Sequence, residues 1–321
     1  MPFNEELLEK AAKQMNVQSV VSDFESARAI LKQALDVVAR QTGKFDPADV
    51  DIYLHGSYAN KTNIYFPSNL EIMLEVKRTT SYDPFVNPHT KYRLYNNYYV
   101  DIMFDFSPAD LMSYLFDALQ ELTGSVCTVG DKSIEIPAGR GIKHLLEITP
   151  CFTFNYLEQE AGVPVTNPQA GLGRRSFKGV LLYDRGVSSH IVTFPKLHAS
   201  NGHAKDLATN GNFLKATRMF KTLNKIGRRE ADFPKNRGYF IQCLLFNVPN
   251  EVYVASSMTG LFYKVLNYFV HADFEGFASQ NLVWQLFGDT PEFWNIDAAH
   301  RFIKDIKTLH DNFPESRVTL V

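Results

Sequence analysis

This chain has no long hydrophobic run, no marked excess of one charge and few cysteines, and each absence argues against a class of protein. No apolar stretch reaches the roughly 20 residues of a membrane-spanning helix. The start, Met1 to Glu6, lacks the basic and apolar regions of an export signal. A net charge of −2 supplies no basic field for tight binding of long nucleic acid. We expect a cytoplasmic protein without membrane contact.

The three cysteines, Cys127, Cys151 and Cys243, are far apart in apolar surroundings. This placement predicts buried, reduced thiols, and no set of Cys and His has the spacing of a zinc site. With 321 residues, of which 45% are hydrophobic, the chain is long enough for one large domain or two fused domains. It contains no internal repeat and no low-complexity tract.

Hydrophobic periodicity predicts helices at both ends of the chain and strands between them. Ser107 and Pro108 mark a helix start, as N-cap and first helical residue. The stretch from Ala161 to Ser176 is rich in Gly and Pro and predicts a loop. The predicted helices are 5–42, 107–122, 210–228, 235–248, 251–273, 278–287 and 296–312. The predicted strands are 50–55, 70–77, 132–137, 144–156, 179–182 and 190–194.

A Gly-Ser pair, Gly56-Ser57, follows the first predicted strand. Such a turn exposes backbone N–H groups and one hydroxyl at a strand end, an arrangement that suits a triphosphate. Taken alone, the pair is more typical of an ordinary turn.

Asn69 and Glu71 begin the next strand, and Glu147 lies in a later one. Residues at i and i+2 on a strand share a face, so Asn69 and Glu71 can act together, and Glu147 can join them from a neighbouring strand. Hard divalent cations prefer such oxygen ligands. The alternatives are a solvent-facing pair on an edge strand and, for Glu147, a buried paired carboxylate.

Lys215, Arg218 and Lys221 recur at i, i+3 and i+6, which places them along one side of a predicted helix. There they can reach the β- and γ-phosphates of a nucleotide, although a charged solvated face gives the same pattern. The basic strip from Lys205 to Arg229 leaves open an RNA or DNA activator.

Several blocks, in order, resemble the bacterial cGAS/DncV-like nucleotidyltransferases, which have a polymerase-β-like core. The family pattern G-S-Y-x-N-x-T-N-(I/V), a short spacer and S-D-x-D is matched in its first half by Gly56 to Ile64. The spacer ends in Ser68-Asn69-Leu70-Glu71, so Asn69 and Glu71 stand where Asp-x-Asp is usual. The further matching blocks are Gly130 to Ile136, Leu146 to Pro150, Phe194 to His198, Arg218 to Lys221 and Tyr239 to Pro249, with Gln242 where an acid is usual.

The resemblance implies an α+β fold, a mixed-sheet nucleotidyltransferase core over residues 1–205 and an all-helical domain over 206–321. It implies synthesis of a cyclic di- or trinucleotide from nucleoside triphosphates in anti-phage signalling. Glu71, Glu147 and Asn69 would bind Mg²⁺ or Mn²⁺, and Gly56, Ser57, Lys215, Arg218 and Lys221 would hold the triphosphate. We expect a monomer whose cyclic product acts on a downstream effector.

The neutral amide of Asn69 leaves the outcome open. Metal affinity should fall, and Mn²⁺, which is bound somewhat more tightly than Mg²⁺ at a given site, would then be preferred. The chain is alternatively an inactive nucleotide-binding regulator, or Asn69 replaces a natural Asp. Transfer of a nucleotide to a protein or antibiotic acceptor uses the same site.

Overall fold

The structure is a computed structural model that describes residues 3–13, 18–64, 69–82, 105–124, 126–139, 141–159, 174–227, 238–288 and 294–313. Its helices are α1 (Glu5–Ala12), α2 (Gln18–Thr42), α3 (Gly56–Ala59), α4 (Pro108–Thr123), α5 (Pro195–Ala208), α6 (Asn212–Gly227), α7 (Gly238–Phe246), α8 (Met258–His271) and α9 (Ile296–Asp311). Its strands are β1 (Val50–Leu54), β2 (Leu70–Tyr82), β3 (Thr128–Val129), β4 (Ile134–Ile136), β5 (Leu146–Gln159), β6 (Arg174–Asp184) and β7 (Ser189–Thr193). None of these helices is both long and apolar enough to cross a membrane.

The strands form one mixed sheet in the order β1-β2-β5-β4-β3, and β5 also pairs with β6, which pairs with β7. β2 and β5 are parallel, while the other pairs are antiparallel. The long strand β5 is central because its first residues pair with β4 and its later residues pair with β6. This mixed sheet with its helices confirms the predicted α+β fold class.

The chain divides into two compact units. The sheet unit comprises Val17–Gly56 and Pro67–Lys196, and the helical unit comprises Met1–Asn16, Ser57–Phe66 and Leu197–Val321. In the helical unit, α1 buries Leu7, Leu8 and Ala11 in the same core as α6 to α9. A functional domain boundary after residue 205 stays a proposal.

Local sequence signals account for the best-defined elements. In α4, Ser107 is the N-cap: its hydroxyl accepts the Asp110 N–H at 3.1 Å, and the Asp110 carboxylate accepts the Ser107 N–H at 2.7 Å. Gly124 ends the helix at φ +72, a left-handed conformation that glycine adopts without strain. The start predicted at Ser107 is confirmed.

Two predicted elements near the C-terminal half differ from the structure. No helix was predicted over α5, because its buried residues are His198 and Gly202, which give no apolar periodicity. The helix predicted at 278–287 is wrong: Asn281 Oδ1 accepts the Val283 N–H at 2.9 Å, and Leu282 has φ +59. This local turn replaces the helical hydrogen bonds.

Other boundaries shift by a few residues. The helix predicted over 251–273 begins only at Met258, after a 3-10 turn at Asn250–Tyr253, because Ser257 caps a new helix there. The loop predicted between Ala161 and Ser176 lies mostly outside the described residues, and β6 begins at Arg174.

Candidate active site

Three glutamates stand side by side across three neighbouring strands of the sheet unit. Glu71 on β2 is the register partner of Glu147 on β5, and Glu147 is the register partner of Glu135 on β4. Register partners point to the same face of a sheet and lie about 5 Å apart. Asn69, two residues before Glu71, belongs to the same face. We call Asn69, Glu71, Glu147 and Glu135 the acidic row.

The Asn69 side chain is turned toward Glu147. Its Nδ2 atom donates a hydrogen bond to Glu147 Oε1 at 2.5 Å. Burial raises the pKa of Glu147, the Asn69 hydrogen bond opposes this change, and the charges of Glu71 and Glu135 raise the pKa further. Burial and the negative charges of Glu71 and Glu135 thus disfavour the ionised form of Glu147.

Gly56 lies directly against the Glu71 carboxylate at the end of β1. A Cβ atom at residue 56 would overlap the Glu71 carboxylate oxygens, and Gly56 has φ +65. The His55 N–H donates to the Glu71 carbonyl at 3.0 Å, which joins the end of β1 to the start of β2. Both the close approach and the positive φ require glycine here.

Ser57 begins the segment of the helical unit that follows this glycine. It lies in α3, and its carbonyl oxygen accepts the Thr62 N–H at 2.8 Å, which closes the segment into a compact turn. Lys61 adopts φ +55 within this turn, and Tyr58 and Thr62 are buried. The predicted Gly-Ser turn is thus a short helical turn, and the Ser57–Thr62 hydrogen bond fixes the path of the chain that follows it.

Two cations of α6 hold this turn through backbone carbonyls. Lys221 Nζ donates to the Thr62 carbonyl at 2.7 Å. Arg218 donates through NH1 to the Lys61 carbonyl at 2.8 Å and through Nε to the Ala12 carbonyl at 2.7 Å.

Burial lowers the pKa of Arg218, whose side chain is only 8% exposed. Arg218 thus positions the turn and α1, and its contact with phosphate stays a prediction. Lys215, one turn earlier on α6, is half-buried.

Sequence reasoning missed Glu135 as a member of the row. The signal was present, because all three strands place a glutamate between two apolar residues. These triplets are Leu70-Glu71-Ile72, Ile134-Glu135-Ile136 and Leu146-Glu147-Ile148. Only the register of the strands shows that the three glutamates fall on one line.

A buried pair also missed from the sequence fixes the start of β5. Asp23 on α2 accepts the Lys143 N–H at 2.8 Å and lies 2.6 Å from His144 Nδ1. The next residue is Leu145, whose carbonyl accepts the Leu70 N–H at 2.8 Å. This chain of contacts sets the register that puts Glu147 beside Glu71. The full burial of His144 agrees with a structural role.

A second polar cluster lies further along the same sheet face. Glu75, buried on β2, accepts from Thr153 Oγ1 at 2.7 Å and from Lys196 Nζ at 2.6 Å. Lys196 also lies 3.5 Å from Asp51 and 4.4 Å from the centre of the Tyr53 ring. The Lys196 ammonium thus supplies a cation to the carboxylates of this cluster.

The donors of the row fit a divalent cation in chemical type, since Glu71, Glu147 and the Asn69 carbonyl are hard oxygen ligands that the strand register and the Asn69–Glu147 hydrogen bond bring together. Within the part of the chain that the structure describes, no three His, Cys, Asp or Glu side chains are grouped so as to hold a metal ion. The row thus supplies suitable donor atoms, but its side chains are not already arranged as a metal-binding group.

Comparisons with known proteins agree with this architecture. Residues 200–311 match the family described as the cGAS/DncV-like nucleotidyltransferase C-terminal helical domain. A cyclic UMP-AMP synthase of Rhodothermus marinus is 27% identical over 310 residues, which cover 95% of this chain and 96% of that protein. The cyclic nucleotide synthase CdnE01 of Staphylococcus haemolyticus is 27% identical over 266 residues, which cover 80% and 83%.

Solved structures of similar proteins share the fold. The Rhodothermus marinus CdnE c-UMP-AMP synthase, solved with Apcpp and Upnpp, gives a TM-score of 0.76 at 23% identity and covers 98% of each chain. The Elizabethkingia meningoseptica CdnE cyclic dinucleotide synthase, solved with GTP and Apcpp, gives 0.67 at 19% identity and covers 96% of this chain and 98% of the other.

Proposed function

We propose that this chain, which belongs to the cGAS/DncV-like nucleotidyltransferases, joins nucleoside triphosphates into a cyclic di- or trinucleotide second messenger for anti-phage signalling. The observation that carries the proposal is the register of Glu71 and Glu147 on adjacent parallel strands, with Gly56 packed against Glu71. Two carboxylates side by side supply anionic oxygens for the divalent cations that assist phosphoryl transfer to a hydroxyl.

Glu71, Glu147 and the carbonyl oxygen of Asn69 would hold Mg²⁺ or Mn²⁺. A bound cation there lowers the pKa of the attacking ribose hydroxyl and neutralises charge on the triphosphate. The chain's own contribution is to hold the carboxylates in line through the β2–β5 ladder and to bring glycine against Glu71. Because Asn69 brings no charge, we expect weaker binding and a preference for Mn²⁺.

Gly56 and Ser57 would hold the triphosphate through backbone N–H groups and the hydroxyl. Lys221 and Lys215 on α6 would steady its phosphates. Arg218 supports this indirectly, because its guanidinium fixes the Lys61 carbonyl within the same turn. The enzyme would work as a monomer and signal to an effector through its product.

The test is incubation of the purified chain with labelled ATP, GTP, CTP and UTP, with Mg²⁺ and with Mn²⁺ separately, followed by phosphatase treatment and separation of products. We expect a phosphatase-resistant product that disappears in Glu71→Ala and increases in Asn69→Asp. Glu121→Ala, which removes an exposed carboxylate of α4, is the matched control and should leave the product unchanged. Absence of product from both the natural chain and Asn69→Asp would contradict the proposal.

A non-catalytic nucleotide-binding regulator is the second candidate, favoured by one observation. The Asn69 amide N–H donates a hydrogen bond to Glu147, whereas an aspartate at this position would offer a charged oxygen to a metal ion. Such a protein would bind a triphosphate and release no pyrophosphate with either cation. Measuring nucleotide affinity and pyrophosphate release on the same sample separates the two functions.

A further inference from the structure

Three buried, incompletely bonded polar side chains lie around Gly202 in the interior of the helical unit. They are His198 on α5, Gln242 on α7 and Gln280, and their side chains are 6%, 3% and 0% exposed. Among the described residues, His198 Nδ1, Gln242 Nε2 and Gln280 Oε1 have no hydrogen-bond partner. We call the three residues the Gly202 polar cluster, after the glycine beside them.

Gly202 brings these groups together. It lies one helical turn after His198 on the same side of α5. A Cβ atom at residue 202 would overlap Gln280 Nε2 and would lie 3.7 Å from Gln242 Nε2. The missing side chain therefore allows the Gln280 amide to pack directly against α5, close to the Gln242 amide.

The other bonds of the cluster fix its side chains in place. Gln280 Nε2 donates to the His198 carbonyl at 2.7 Å, and the Gln280 carbonyl accepts from Asn201 Nδ2 at 2.8 Å. Gln242 Oε1 faces the Thr62 hydroxyl at 3.5 Å. Turning the Gln280 amide to satisfy its free oxygen would break the bond to the His198 carbonyl, and turning the Gln242 amide would leave its oxygen unbonded in place of its nitrogen.

Leaving three buried polar atoms unbonded is costly, and buried water usually bonds such groups. Burial lowers the pKa of His198 to about 4, so the ring is neutral at pH 7 and needs polar partners rather than an anion. Amide, carbonyl and imidazole together offer both donors and acceptors, as a water molecule requires.

We propose that the Gly202 polar cluster is a permanent internal water site, in which water accepts from Gln242 Nε2, donates to Gln280 Oε1 and bonds to His198 Nδ1. The site joins α5, α7 and the 278–287 segment at one polar point within the helical unit. Through Gln242 it also supports Thr62, whose carbonyl binds Lys221. This inference is independent of the proposed function.

The first test is a high-resolution crystal structure of the natural chain. We expect a water peak within hydrogen-bonding distance, about 2.7–3.2 Å, of at least two of the three atoms. A dry cluster, or amides bonded directly to one another, would overturn the proposal.

The second test uses the sign of a thermal shift. If water is bound, His198→Phe removes one of its partners and lowers Tm; if the cluster is dry, the same change removes an unbonded polar atom and leaves Tm unchanged or raises it. Tyr253→Phe is the matched control, because the fully buried Tyr253 hydroxyl donates to the Leu245 carbonyl at 2.6 Å. We expect His198→Phe to lower Tm as Tyr253→Phe does, and an unchanged or raised Tm would refute a bound water.

Discussion

The sheet unit and the helical unit treat charge in opposite ways. In the sheet unit, the acidic row sets Glu71, Glu147 and Glu135 beside one another, and the neutral amide of Asn69 donates to Glu147. In the helical unit, Arg218 and Lys221 are bonded to backbone carbonyls of their own unit. Repulsion between the carboxylates of the row favours a ligand that brings positive charge, whereas the bonds of Arg218 and Lys221 hold the turn at Lys61 and Thr62.

The largest expected effect tests the first half of this comparison. Glu147→Gln should reduce product formation by at least about 100-fold. This loss exceeds the one that is usual when the replaced residue only hydrogen-bonds to a metal ligand. Because the pKa of Glu147 is raised in the folded state, its ionisation destabilises the protein as pH rises through that pKa. The variant should therefore be at least as stable as the natural chain at pH 7, as measured by urea denaturation.

Glu121→Gln, on the exposed face of α4, is the control and should change neither quantity. Full activity in Glu147→Gln would remove the acidic row from the proposed chemistry.

The second prediction concerns the helical unit, where we expect a substitution of a charged residue to reduce stability. Arg218→Met leaves the Ala12 and Lys61 carbonyls without their donors and should lower the free energy of unfolding by about 2–4 kcal/mol. Arg218→Lys should be more stable than Arg218→Met but less stable than the natural chain, since one ammonium cannot reproduce both bonds of the guanidinium group. Urea denaturation measures both, with the exposed Arg301→Met as control. A loss below that of Arg301→Met would show that Arg218 is not a structural cation.

The third prediction sharpens the comparison within the sheet unit, where Asp23 is a bonded acid outside the row. Asp23→Asn keeps an oxygen for the Lys143 N–H but loses the charge that faces His144, and should cost about 1–2 kcal/mol of unfolding free energy. If Glu147→Gln destabilised the chain by a similar amount, the distinction between bonded and repelling acids would fail.

The smallest effect concerns an acid of the helical unit. Glu5 accepts from the Met258 and Thr259 N–H groups at the start of α8, at 2.6 and 2.8 Å. The Thr259 side chain, then the two backbone donors, lower the pKa of Glu5 despite partial burial.

A carboxyl group whose pKa is lowered by folding stabilises the folded protein at pH values above its unfolded pKa of about 4.3. This stabilisation is lost as the pH falls through the folded pKa. Glu5→Gln should therefore cost about 1 kcal/mol at pH 7, and the difference should shrink below about pH 4. Denaturation at both pH values measures it, and a constant difference would contradict the assignment.

Much of the fold was predictable because the signals are local. The Ser107 cap, the apolar faces of α2 and α9 and the strand before Gly56 each depend on neighbouring residues. Prediction failed at α5, where tertiary packing buries residues that form no apolar stripe, and at 278–287, where a local side-chain turn replaces the expected helix. α5 buries a histidine and a glycine, and the segment at 278–287 turns on the Asn281 side chain.

The sequence by itself determined the chemistry available to the site: a Gly-Ser turn, an Asn-x-Glu strand start and later glutamates in strands, because residue type and period two are local properties. Only the tertiary structure decided that Glu135 joins Glu71 and Glu147, because strand register depends on pairing between distant segments. It likewise decided that Arg218 is a buried support, since the Ala12 and Lys61 carbonyls lie far from it in sequence. Which charges repel and which are bonded follows from these long-range contacts.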